Sequence, residues 1–432
     1  MLKKLERYFK FEERKTSWSI EIRSGLTIYL TMAYILFVNP AILKDAGVPF
    51  NACVVGTALA AGITSILMGV ITNFPLALAA GMGLNSVLAY SIVLGQGVSW
   101  QVGMGLIFLN GLIVFVLVLA GVREAVMKAI PAPLRYAIAV GIGMFLAFIG
   151  LMHAGVVIVD KNTLLPSPGD FSKISTIVAG CGILITAIFV VLRIKAAILL
   201  GIILTGILSY LAGIVQWPGV FKMPDFSSIG ALDIPGALKL TLLPSLFAFL
   251  IVDFFDTLGT VTAIGYQANL VDSKGNIENL KGILAVDAVG AMLGGFFGAS
   301  SNTSYIESAA GIMEGGRTGV SAITVGVLFL LSIVIAPIAS LISSEATAPA
   351  LVIIGFLMMQ GITNIDFNDL ETAIPAFVII LTMPFTYSIS HGIGYGFITY
   401  TVLKLAKSKY KEVHPIMYAI SIIFATYFIM GK

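Results

Sequence analysis

The sequence predicts an all-α protein that crosses a lipid bilayer about fourteen times, as two inverted halves of seven spans each. Three observations carry this. Of the 432 residues, 58% are hydrophobic and only 11% are charged, against about 25% charged in a soluble domain; the mean hydropathy is +1.01. The apolar residues gather into successive runs separated by short polar loops. An odd number of runs per half turns the second half upside down relative to the first, the arithmetic of an inverted repeat.

Residues 1–24 are polar and mixed in charge, and the run that follows is too long for the apolar part of a cleavable signal, so the N-terminus is expected in the cytoplasm. Seven runs follow, near 25–43, 52–71, 76–94, 101–120, 133–152, 174–192 and 196–216. A polar, proline-bearing linker, Trp217 to Lys239, is expected outside. Seven more runs lie near 241–266, 283–297, 300–313, 318–340, 348–361, 371–388 and 390–404. A further run at 413–430 could cross or lie against the bundle. PAPLR at 131–135 is echoed by TAPAL at 347–351, and GMGLN at 81–85 by GASSN at 298–302, at nearly the same offset.

Charge placement agrees with this topology. The loops expected in the cytoplasm carry Arg123, Lys128 and Arg135, then Arg193 and Lys195, Lys274 and Lys281, Arg317, and the cluster Lys404, Lys407, Lys409 and Lys411. The net charge of +3 is therefore a matter of loops, and no nucleic-acid partner is expected. Cys53 and Cys181 form no CxxC pattern and read as small buried residues; with three scattered histidines, no metal centre is expected.

Two segments, one in each half, make poor continuous helices. NFPLALAAGMGLNS at 73–86 contains Pro75, Gly81 and Gly83, and GGFFGASSNTSYIESAAG at 294–311 opens with glycines and small polar residues. Such backbone survives at membrane depth only where protein or a water-filled cavity satisfies it, and paired interruptions in inverted halves point to a transporter's binding site. Helices are expected to start near Gly83–Asn85 and near Asn302–Ser304, which places Asn302 and Thr303 at the site. Free N–H groups at such starts suit the carbonyls and ring nitrogens of a planar polar ligand.

The run 244–266 carries Asp253 and Asp256 in its middle, with Asp253 roughly 14 Å from the Pro244 end. A carboxylate facing lipid there costs about 2.5–3.5 kcal/mol, so both are expected to face protein or water. Spacing i, i+3 puts them on one helix face, which Thr260 extends. Glu307, on the second broken segment, is the third intramembrane carboxylate, and the three could converge between the halves. Burial and a like-charged neighbour favour the protonated form, so Asp253, Asp256 and Glu307 are candidates to take up and release a proton. An ionised carboxylate can also accept two adjacent ligand N–H groups, and Asn85 can read a carbonyl beside an N–H. Phe74, abutting the first break, is a candidate to stack on a ring. Asp287, a turn or two into its run, reads as a structural group pairing with a nearby donor. GMGLN follows no soluble strand and opens no βαβ unit, so it is no nucleotide-binding loop.

These motifs carry a resemblance. TMAYILFVNP at 31–40, GMGLN at 81–85, VDFFDTLGT at 252–260 and SSNTSYIESAAG at 300–311 resemble the AzgA-like purine permeases of the nucleobase:cation symporter type 2 family, which includes nucleobase/ascorbate and xanthine/uracil permeases; the likeness runs from about residue 9 to 430. It implies fourteen helices in core and gate domains, with short antiparallel strands at the broken segments. The core would comprise 25–120 and 240–340 and the gate 133–216 and 348–404, with 413–432 a C-terminal helix. It further implies a multi-pass cell-membrane permease that takes up hypoxanthine or guanine, coupled to protons or, alternatively, Na+; adenine, or uracil or xanthine, are the alternative substrates. Asn85, Asp253, Asp256 and Glu307 look like the substrate and proton residues. No cofactor is expected beyond the coupling ion; lipid and a homodimer partner are. The rival class is a membrane-embedded hydrolase using paired carboxylates, which two Asp three residues apart on one helix suit poorly. The protein is therefore not expected to be an enzyme.

Overall fold

The computed structural model describes residues 2–121, 130–160, 163, 165–215, 223–271, 277–335 and 342–430, with every side chain among them except those of residues 240, 254–256, 258, 335 and 430. Arg123, Lys128, Trp217, Lys274 and the side chains of Phe254, Phe255 and Asp256 thus lie outside the described residues.

The first span is two helices, α1 (Trp18–Met32) and α2 (Ile35–Asp45), which meet at Ala33 and Tyr34. α1 begins well before the apolar run, at an N-cap where the Ser17 side chain accepts from Ile20 N–H, and its fully buried Glu21 serves as a cap for another helix: the carboxylate accepts from the backbone N–H groups of Arg317 and Thr318 and from Ser321 Oγ. There follow α3 (Phe50–Leu67), extended by a π-helical turn at Met68–Thr72, then β1 (Leu78–Ala80) and α4 (Met82–Ser86), which a π-helix continues through Val87–Leu94. α5 (Trp100–Leu119) and α6 (Ala132–His153) are full-length. A hairpin that the sequence reading did not anticipate, β2 (Val157–Val159) with β3 (Pro166–Pro168), precedes α7 (Ile174–Val191) and α8 (Ala197–Leu211).

The second half repeats the pattern. α9 (Leu243–Gln267) and α10 (Leu280–Phe297) lead to β4 (Asn302–Ser304) and α11 (Ser308–Met313), then to α12 (Gly319–Leu331), α13 (Ser344–Met359), α14 (Leu370–Thr386) and α15 (Ile389–Ala406). Among the described residues, seven helical stretches of at least 18 residues are apolar enough to span a bilayer, and shorter apolar helices complete the set. The chain is a multi-pass membrane protein in a seven-plus-seven inverted arrangement.

Long-range contacts fix which ends share a face. Arg14 bonds the carbonyls of Asn73 and Arg317 and the carboxylate of Glu278, and Lys195 bonds Glu314, so the ends of α3, α7 and α9 and the starts of α10 and α12 lie on the N-terminal face. Asp45 bonds His153 and Tyr90 on the opposite face. Two helix groups emerge: α5 packs on α10, α10 on α3, and α12 on α1 and α3, whereas α6 packs on α13 and α14, α7 on α8 and α13, and α14 on α15. Glycines permit the closest approach. A Cβ at Gly143 would sit 2.7 Å from the Gly355 carbonyl oxygen, and one at Gly355 would sit 2.4 Å from that of Gly143, so the equivalent helices α6 and α13 touch backbone to backbone.

The last run forms α16 (Pro415–Met430). It runs antiparallel beside α15: Thr401 bonds Ser421, Phe424 lies against Gly394, and His391 stacks on Phe428 at 5.1 Å. Its 16 residues span about 24 Å, enough to cross most of a hydrocarbon core about 30 Å thick. α16 is thus a fifteenth transverse helix and does not lie on the N-terminal face.

Cys53 is buried, whereas Cys181, read as buried from the sequence, is exposed on α7.

Candidate functional site

The two broken segments meet at mid-depth. β1 and β4 pair antiparallel, Leu78 with Ser304, Ala79 with Thr303 and Ala80 with Asn302, and the ladder extends through Gly81 N–H to Ser301 O and Tyr305 N–H to Ala77 O. Every residue of the two strands is buried, so this pairing supplies the hydrogen bonds that lipid cannot. From the crossing, α4 and α11 run to opposite faces, and each presents its N-terminal turn to the centre. α4 starts at Met82 as expected. The second helix does not start near Asn302–Ser304, because those residues are the strand; it starts at Ser308 with Glu307 as the capping residue.

A cleft of about 610 Å³ leads from the N-terminal face to this crossing. It is lined by Gly83 and Leu84 of α4, Val252, Gly259 and Thr260 of α9, and Ile306 before α11, and on the other side by Arg135, Tyr136, Ile138, Ala139 and Ile142 of α6 and by Met358. The predicted polar residues Asn85, Asp253 and Glu307 each stand beside a lining residue. Asn85 is fully buried, and among the described residues neither its Oδ1 nor its Nδ2 has a hydrogen-bond partner. A buried amide left so costs about 1–3 kcal/mol, which a polar ligand would offset. Glu307 Oε1 accepts from Tyr34 Oη at 2.7 Å; Tyr34 sits at the break of the first span, inside TMAYILFVNP. Asp253 is buried and accepts from Asn110 of α5 at 3.0 Å.

The remaining predicted residues have other surroundings. Thr303 Oγ1 lies 3.1 Å from Thr257 Oγ1. Asn302 donates to Thr64 of α3 at 3.1 Å. Phe74 is fully buried in an apolar cluster with Met68, Leu76, Val261 and Ile264 and does not line the cleft. The side chain of Asp256 lies outside the described residues. Asp287 proves to be the anchor of the crossing: it accepts from Ser304 N–H at 3.0 Å, Ser304 Oγ at 2.7 Å and Thr257 Oγ1 at 2.7 Å, tying β4 to α9 and α10.

On the opposite face the same helices are closed. His153 Nε2 stands 3.0 Å from Asp45 Oδ2, Tyr90 Oη donates to that oxygen at 2.7 Å, and Tyr90, Phe145, Phe148 and Tyr387 pack edge to face. Helix α6 therefore borders open space at one end and is sealed at the other.

A cleft that reaches crossed half-helices from one face is the arrangement of a carrier. The model of the permease family matches residues 19–395, and the chain belongs to that family; it is a transport protein and not an enzyme. The adenine permease AdeP of Escherichia coli is 39% identical over 422 residues, covering 97% of this chain and 95% of AdeP. The guanine/hypoxanthine permease PbuG of Bacillus subtilis is 39% identical over 446 residues, covering 99% of this chain and all of PbuG. Among solved structures, the transmembrane domain of the cyanobacterial bicarbonate transporter BicA superposes with a TM-score of 0.66 at 16% identity, covering 84% of this chain and 96% of that domain, a likeness of fold.

Proposed function

We propose that the protein is a proton-coupled purine nucleobase permease of the cell membrane, and that Asn85, Asp253, Asp256 and Glu307 hold the base and the proton where the two half-helices cross. The observation that carries the reading is the buried Asn85 amide, without a hydrogen-bond partner among the described residues, next in the chain to Leu84 of the cleft lining, with Asp253 and Glu307 likewise adjoining the lining residues Val252 and Ile306. The names of the relatives, which include adenine and guanine/hypoxanthine permeases, support a purine. A 6-oxopurine is the preferred substrate: its N1–H beside a C6 carbonyl offers a carboxylate a donor and an amide an acceptor. Adenine, with the reverse pattern, is the second reading, since an Asn amide pairs either way after a flip.

The N-terminal face is cytoplasmic in this reading, since Arg14, Arg193, Lys195, Lys281, Arg317 and the lysines from 404 to 411 gather there. The cleft then opens inward while the Asp45–His153 layer seals the outside. Transport would move one helix group, α1–α5 with α9–α12, past the other, α6–α8 with α13–α15. A homodimer is part of the same reading, and cross-linking in native membranes tests it. For the function itself, purified protein in vesicles should accumulate labelled hypoxanthine under an inward proton gradient, and lose it with an uncoupler. No purine accumulation would end the proposal, and accumulation driven by Na+ alone would remove the proton from it.

A further inference from the structure

We infer that Asn110 is a positioning residue for transport, which fixes the orientation and proton occupancy of Asp253. The inference rests on the reading of Asp253 as part of the coupling machinery.

None of the 20 residues of α5 is charged. Asn110 is the eleventh of its 20 residues, about 15 Å from the helix start, and is fully buried. An amide at that depth is costly unless it is bonded. Its Nδ2 donates to Asp253 Oδ2 at 3.0 Å. The donor cannot drift, because α5 is pressed against α10 at the next residue: a Cβ on Gly111 would sit 2.7 Å from Met292 N and 2.8 Å from Ala288 O.

The chemistry follows from the donor's nature. An amide N–H cannot ionise, and it can bond a carboxyl oxygen only through that oxygen's lone pairs. A donated N–H binds a carboxylate oxygen more strongly than the oxygen of a neutral carboxyl, so Asn110 both orients Asp253 and bears on whether it holds a proton. Among the described side chains, the other titratable groups around this region are Asp287 of α10, bonded to Thr257 one turn along α9; Glu307, bonded to Tyr34; and Arg135 across the cleft; Asp256 follows three residues later in the sequence of α9. Asn110 is a neutral group among them that touches Asp253 directly.

The test is the initial rate of hypoxanthine uptake against pH in vesicles, for wild type, Asn110→Leu, Asn110→Ala and Asn110→Gln, normalised to folded protein by size-exclusion chromatography. If uptake needs a proton on Asp253, it falls as pH rises; without the donor the protonated form persists further. The alkaline limb should move up by about one pH unit in Asn110→Leu and Asn110→Ala, and return toward wild type in Asn110→Gln. Asn110→Ala keeps the question open to test if the bulkier Leu fails to fold. A proton-dependent wild type with an unmoved limb in both donor-free variants overturns the inference and leaves the permease reading standing. A wild type with no proton dependence overturns both.

Discussion

Removing the Asp287 carboxylate should loosen the strand crossing on which the site depends. In Asp287→Ala the Thr257 hydroxyl can still turn to Thr303, 3.1 Å away, and the Ser304 hydroxyl can rotate, but Ser304 N–H keeps no acceptor. Three bonds to a charged group at about 1.5–3 kcal/mol each set the upper bound, and one buried unsatisfied N–H at about 1–3 kcal/mol sets the floor. Allowing for the two hydroxyls that re-pair, the loss is about 3–5 kcal/mol, and Asp287→Asn, which keeps one acceptor oxygen, should lose about half. Thermal denaturation of the purified protein in detergent reads the stability, and hypoxanthine uptake per folded molecule reads the site; uptake should fall at least about tenfold, the equivalent of 1.4 kcal/mol. An Asp287→Ala protein that melts and transports like wild type would refute the account of the crossing.

Other consequences are open to the same kind of check. Glu278 is partly buried, which opposes its charge, but Lys10 and Arg14 hold its carboxyl below the usual carboxylate range. Its folded value is thus lower than its unfolded one, so the strap it forms with the N-terminal segment is fully stabilised at neutral pH and lost only as pH falls through that lowered value. Protection of the amides of residues 2–15, taken relative to the intrinsic exchange rate at each pH, should be high at pH 7, lost in acid once Glu278 is protonated, and low at pH 7 in Glu278→Gln. On the other face, His153→Ala or Asp45→Asn removes a partly exposed hydrogen-bonded pair worth about 1 kcal/mol, which should raise labelling from that face of a cysteine placed at Ser91 about fivefold. Tyr34→Phe, which takes the Oη donor from Glu307, should reduce uptake while leaving expression unchanged.

Much of the fold was legible because its causes are local. Apolar run lengths mark the spans, and Pro75, Gly81, Gly83 and the SSNTS stretch mark the interruptions, since only unusual backbone tolerates such residues at membrane depth. Partners distant in sequence were not legible. Nothing near residue 110 says that Asn110 meets Asp253, nor does position 21 announce that Glu21 caps a helix three hundred residues away; such pairs arise only when spans assemble. The start of α11 was misplaced because Asn302–Ser304 has the composition of a cap, yet pairing with β1 draws it into a strand. Phe74 looks like a stacking residue beside a break, but it fills an apolar cluster. Run 413–430 is apolar enough for either fate, and packing along α15 decided it. Tyr34 lies within TMAYILFVNP, and an aromatic hydroxyl at the break of an apolar run is the signal that could have found it.

Equilibrium binding of labelled hypoxanthine to the purified protein asks whether the base sits where the two half-helices cross. Wild type should bind, Asn85→Leu and Glu307→Gln should each weaken binding at least about tenfold, as expected for losing one bond of about 1.4 kcal/mol, and Phe74→Leu should bind as wild type does. Undiminished binding in Asn85→Leu and Glu307→Gln would contradict the placement of the purine where the two half-helices cross.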